Sequence, residues 1–144
     1  MQLLEALKKK KYRLLLIIGR PGSGKSKYLQ NYSKQVGIPI LDLDFILGKE
    51  LPDGRDADYV YDFLNGFLDT YRPDQVLIDK KAILYNKDSK IDLLDFLKEL
   101  SLKKIVIATW NGYTENGKLV HVCDKIQKDF EYDLSDDFAY IELK

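Results

Sequence analysis

A chain of 144 residues has room for one domain built around a single central sheet. With 45% hydrophobic and 32% charged residues it has the ordinary balance of a soluble globular protein. Twenty-three Lys plus Arg offset 23 Asp plus Glu, which excludes a uniformly basic nucleic-acid-binding surface and leaves nucleic-acid contact to a local patch or to partners.

Residues 2–10 place Leu3, Leu4 and Leu7 at helical spacing, predicting a short amphipathic helix ahead of the core. The start of the chain lacks the basic residues and apolar run of a signal peptide. The basic run Lys8 to Lys11, with Arg13 after it, reads as the solvated end of that helix. Leu14 to Ile18 is a continuous apolar run ending at Gly19, which suits a parallel strand covered on both faces and is too short to cross a bilayer. The single Cys123 cannot form an internal disulfide, so the expectation is a cytoplasmic protein with no membrane contact.

A helix is expected over about 25–35, with Tyr28, Leu29 and Tyr32 facing inward. Ile38-Pro39-Ile40-Leu41-Asp42 reads as a second strand, its proline at the start where a missing donor is tolerated. Across 57–71, Tyr59, Val60, Phe63, Leu64, Phe67, Leu68 and Tyr71 form one apolar helical stripe, which Arg72-Pro73 ends. Val76 to Asp79 is a third strand, apolar until its closing carboxylate. Asp88 to Asp92 has capping-box-like spacing, after which Ile91, Leu94, Leu97 and Leu100 line an inward helix face. Ile105 to Ala108 forms a fourth buried strand. Beyond Asn111-Gly112 the pattern weakens: 119–122 reads as a strand, 123–137 as helix or ordered loop, and 138–143 as a final edge strand. This alternation predicts an α/β fold across 1–144, a three-layer P-loop NTPase-like domain with a mainly parallel central sheet.

Gly19-Arg20-Pro21-Gly22-Ser23-Gly24-Lys25-Ser26 matches G-x-x-x-x-G-K-S/T between a strand and a helix. The pattern works because successive backbone N–H groups converge at a helix N-terminus, and glycines allow the dihedrals and close approach that phosphate oxygens need. Gly19, Arg20, Gly22, Ser23, Gly24, Lys25, Ser26 and Lys27 are therefore the candidate contacts to a nucleoside triphosphate, ATP or GTP. Lys25 is directed at the β- and γ-phosphates and the Ser26 hydroxyl at Mg²⁺. Asp79, ending an apolar strand, is placed to hold that Mg²⁺ through water as a Walker-B acid, or else caps the next segment.

Asn111, with Thr109 behind it, is the candidate sensor of the γ-phosphate or attacking water, in the manner of ATPases with an extra strand between the Walker elements. Asn111-Gly112 is equally a turn dipeptide. Lys25, Asp79 and Asn111 thus form the catalytic set, but Lys80 and Lys81 stand where such ATPases carry a water-polarising Glu. A protonated lysine is no general base, so turnover by the chain alone is not implied; Glu115 is the substitute the sequence offers. Arg55 is a solvated loop residue or an arginine finger for a neighbouring subunit in a homo-oligomer, and His121 reads as structural. Asp42 and Asp44 are loop or capping residues, or the acceptor and metal ligands of a small-molecule or nucleoside kinase, although no Arg-rich lid follows the third helix.

The phosphate loop at 19–26, Ile38 to Asp44, Val76 to Asp79, Ala82 to Tyr85, the Leu-rich helix at 91–100, Val106 to Gly112 and Glu115 to Leu119 together resemble the BrxF family. These are small P-loop proteins of type III BREX phage-defence systems, and the likeness spans nearly the whole chain, with Trp110-Asn111-Gly112 its more discriminating block. The resemblance implies an accessory nucleotide-binding component working with larger BREX proteins, among them an ATPase, a DNA methyltransferase and a phosphatase-like protein. It also implies that Lys25, Ser26 and Asp79 contact nucleotide and Mg²⁺. Lys80 departs from the Asn that commonly follows the Walker-B acid in that family.

Overall fold

The computed structural model describes residues 5, 7–20, 22–43, 57–79, 93–123 and 127–143. In chain order these form β1 (Leu14–Gly19), α1 (Lys25–Val36), β2 (Ile40–Asp42), α2 (Ala57–Thr70), β3 (Gln75–Asp79), α3 (Leu93–Ser101), β4 (Ile105–Glu115), β5 (Lys118–Cys123), β6 (Gln127–Asp133) and β7 (Ala139–Glu142). Five strands run parallel in the order β2-β3-β4-β1-β7. Six consecutive buried residues let β1 sit inside this sheet, since both of its faces are covered by apolar neighbours.

The two faces carry separate cores. Leu14, Leu16 and Ile18 point with Val76, Ile78, Val106, Ala108 and Trp110 toward α2 and α3, where Leu64, Leu68, Phe96, Leu97 and Leu100 meet them. Leu15 and Ile17 point with Leu77, Ile105 and Ile107 to the opposite face, under Leu29 of α1 and Leu7. Helices thus cover both sides of a mainly parallel sheet, the three-layer α/β arrangement expected from the strand–helix alternation. The inward set of α1 differs in one residue: Leu29 is buried and Tyr32 partly so, but Tyr28 is 41% exposed. Gly37, in the left-handed region at φ 71°, ends α1 and donates its N–H to Ser33 O at 2.9 Å. Leu3, Leu4, Asp44, Arg55, Lys80, Lys81 and the capping pattern at 88–92 lie outside the described residues.

The C-terminal third departs from the sequence expectation. β4 does not stop near residue 109 but continues to Glu115, leaving its parallel partners and pairing antiparallel with β5. Asn111-Gly112 is strand, not turn; the turn is Asn116-Gly117, with φ 51° and 75°, the two positive values that a tight hairpin demands. Gly112 has another reason to be glycine: a Cβ there would lie 1.8 Å from the carbonyl oxygen of Val120. That carbonyl accepts a hydrogen bond from the Trp110 indole N–H at 3.1 Å. Trp110 is fully buried and meets His121 edge-on at 5.0 Å and Tyr132 at 5.7 Å between ring centroids. The stretch expected as helix or loop contains strand β6, antiparallel to β5 with an irregularity between His121 and Val122. Edge strand β7 lies parallel to β1.

Candidate functional site

The expected phosphate loop joins β1 to α1 at the carboxyl edge of the sheet. Gly22 and Gly24 both occupy the left-handed region, at φ 86° and 95°, where a side chain would be strained. Inside the loop the Ser23 N–H donates to Arg20 O at 3.0 Å, and Tyr28 N–H donates to Gly24 O at 3.0 Å as α1 begins. Gly24, the N-cap of α1, has no side chain to cap the first turn, and Lys25, Ser26 and Lys27 place no acidic group there. The positive end of the helix dipole therefore meets no anion from its own first turn, a condition that favours an external one. Gly19 is glycine for packing, because a Cβ would sit 2.1 Å from Ser23 Oγ.

Lys25 is 7% exposed and lies folded over the loop, its ammonium donating to Arg20 O at 3.1 Å. Burial pushes its pKa below the ordinary lysine value, and the negative charge of Asp79 opposes that fall. The Ser26 hydroxyl donates to Asp79 Oδ2 at 2.7 Å, and Thr109 Oγ1 donates to Asp79 Oδ1 at 2.7 Å. Both carboxylate oxygens of the third strand are thus engaged, one from α1 and one from β4. This is possible because β4 lies between β1 and β3.

Register explains why these groups meet. Gly19 pairs with Asn111 and Ile17 with Thr109, while Asp42 pairs with Asp79. Paired residues of parallel strands share a face, so Asp42, Asp79, Thr109 and Asn111 form a polar row on the α1 side, where the preceding residues of each strand are apolar. Asn111 takes its place beside Gly19 at the loop's root, whereas Thr109 is the residue bonded to Asp79.

The remaining candidates fall outside this centre. Lys27 is exposed on the first turn of α1. The Arg20 side chain stacks over the Tyr113 ring with 4.2 Å from guanidinium to centroid, while its main-chain oxygen serves the loop. Glu115 is exposed at the end of β4, opposite Lys118. His121 is fully buried against Trp110. Tyr113 and Glu142 carried no sequence signal, because they join the site only through the β4 extension and the β1–β7 pairing.

No family model matches the sequence, and neither does any curated protein. Among solved structures the chain is similar to AMPPCP-bound DnaA from Aquifex aeolicus, with 18% identity and a TM-score of 0.39. The match covers 99% of this chain and 44% of that one, so the present chain corresponds to less than half of the DnaA length.

Proposed function

We propose that this chain binds the Mg²⁺ complex of a nucleoside triphosphate, ATP or GTP, and uses it as an accessory subunit of a BREX-type phage-defence assembly. The observation that carries the nucleotide reading is the shared carboxylate: Asp79 accepts from Ser26 of the phosphate loop and from Thr109 of the intervening strand. A glycine loop with two left-handed residues at a helix start, a buried lysine and a hydroxyl–carboxylate pair form a complementary set for a triphosphate and its cation. Ser26 and Asp79 offer hard oxygen donors, which suits Mg²⁺, an ion that keeps several waters and takes its other ligands from phosphate. Ser26 and Asp79 would hold such a cation, which would supply charge neutralisation to the phosphates. Lys25 supplies the countercharge, and Thr109 holds the Asp79 carboxylate in orientation.

The defence role rests on the resemblance to BrxF, and the missing water-polarising Glu supports a site that depends on a partner for turnover. An arginine supplied in trans raises such rates by about 10³- to 10⁵-fold. Phosphate release should therefore be slow for the isolated chain and rise when larger BREX proteins, with or without DNA, are added. No acceleration by any of them would remove the accessory-subunit reading. A kinase reading draws on the register of Asp42 beside Asp79. Phosphorylation of a metabolite library by the isolated chain would favour it over the subunit role.

A further inference from the structure

Beside the phosphate loop lies a cavity of about 470 Å³. It occupies the position where β1 would continue past Gly19, between the rising end of β4 and the end of β7. Two of its walls are loop residues, Arg20 and Ser23; the others include Tyr113, Thr114, Glu142 and Leu143. The loop and the cavity are therefore contiguous.

We infer that this cavity receives the base of the nucleotide, with the stacked Arg20–Tyr113 pair as its planar wall and Glu142 as the group that reads the base edge. The assignment builds on triphosphate binding at the loop and adds the other half of the ligand. Its volume is within the range of small-molecule sites, about 300–1,000 Å³. The guanidinium of Arg20 lies 4.2 Å from the Tyr113 ring centroid, a cation-faced aromatic surface of the kind on which bases stack irrespective of identity. Leu143 supplies an apolar side, and its N–H is fixed to Ile18 O at 2.7 Å, which anchors that wall to the central strand.

Selectivity follows from Glu142. Its carboxylate accepts the Thr114 N–H at 3.3 Å and also the Thr114 hydroxyl, so the pair spans the gap between β7 and β4. Each carboxylate oxygen has a second lone-pair direction, and an acceptor-only group can take only N–H donors from a base. Exocyclic amines and the N1–H of guanine meet that requirement. Ser23 Oγ, buried at the junction and without a hydrogen-bond partner among the described residues, stands where the sugar or first phosphate passes from loop to cavity.

The test compares Mg²⁺-ATP, Mg²⁺-GTP and Mg²⁺-tripolyphosphate by calorimetry on wild type, Tyr113→Ala and Glu142→Gln. Wild type should bind at least one nucleotide more tightly than tripolyphosphate. Tyr113→Ala should weaken that nucleotide by about 10- to 100-fold with tripolyphosphate affinity retained, which also shows that the variant is folded. Glu142→Gln should change the ATP-to-GTP affinity ratio by about 5-fold or more, again with tripolyphosphate unaffected. Equal binding of nucleotide and tripolyphosphate by wild type, or a parallel loss of both ligands in Tyr113→Ala, would overturn the base assignment and leave the phosphate site standing. Failure of wild type to bind any of the three would remove both.

Discussion

Replacing Asp79 by Asn isolates the role of a single negative charge at the centre of the site. The side chain keeps its size, but the carboxylate whose two oxygens accept the Ser26 and Thr109 hydroxyls, each at 2.7 Å, becomes a neutral amide. That amide has one acceptor oxygen and one NH₂ that only donates, so one of the two hydroxyls must turn to accept. A hydrogen bond to a charged acceptor contributes about 1.5–3 kcal/mol against about 1 for a neutral one, and the exposed Ser26 bond counts for less than the part-buried Thr109 bond. Asp79→Asn should therefore cost roughly 1–3 kcal/mol of stability and leave the chain folded. It also removes the charge that opposes the burial-driven fall of the Lys25 pKa. On ligand binding the consequence depends on the cation. A carboxylate that orients a metal shell contributes about 10- to 100-fold in metal affinity, which converts to about 1.4–2.7 kcal/mol. Calorimetry with Mg²⁺-ATP should show that loss in the variant. In EDTA, ATP affinity should be unchanged or tighter, because a negative charge beside the phosphates has gone. An equal loss in EDTA and in Mg²⁺, or no loss in either, would refute the assignment of Asp79 to the cation.

Gly112→Ala should destabilise the protein by about 2–4 kcal/mol in denaturant unfolding, since its Cβ would lie 1.8 Å from the Val120 carbonyl oxygen and both backbones would have to part. Gly66→Ala, on α2 with nothing within 4 Å of the added carbon, should raise stability by about 0.5–1 kcal/mol in the same assay. Tyr71 has a buried hydroxyl with no hydrogen-bond partner among the described residues, and burial holds its pKa above the ordinary value. The native state thus keeps a proton that the unfolded chain releases from about pH 10, so stability is full below that pH and falls above it. Tyr71→Phe should gain about 1 kcal/mol at neutral pH and make the alkaline decline in a pH series shallower.

The parts of the fold that local chemistry determines are visible in the sequence. A run such as Leu14 to Ile18 has to be buried on two faces, and Gly19 to Ser26 has to turn tightly into a helix start. The placement of β4 between β1 and β3 is a long-range pairing that the sequence offers only by analogy with ATPases carrying an extra strand between the Walker elements, and that placement brings Thr109 onto Asp79. Two Asn-Gly dipeptides compete for one hairpin; the choice fell to Asn116-Gly117 because Gly112 is needed for close approach to Val120 within a strand. β6 was hidden by its polar composition: Gln127-Lys128-Asp129-Phe130-Glu131-Tyr132-Asp133 has two aromatics at period two among charges, and its strand state comes from pairing with β5. A signal for Thr109 was available, since a hydroxyl closing an apolar strand two residues before Asn111 shares that residue's face.

The nucleotide account is tested most directly by titrating Mg²⁺-ATP into wild type and Lys25→Ala. Lys25 is buried in the loop, so its loss removes a charge-assisted phosphate contact; the variant should bind about 10- to 100-fold more weakly while melting no lower than wild type. Indistinguishable affinities for the two proteins, or no heat of binding from wild type at millimolar Mg²⁺-ATP, would contradict it.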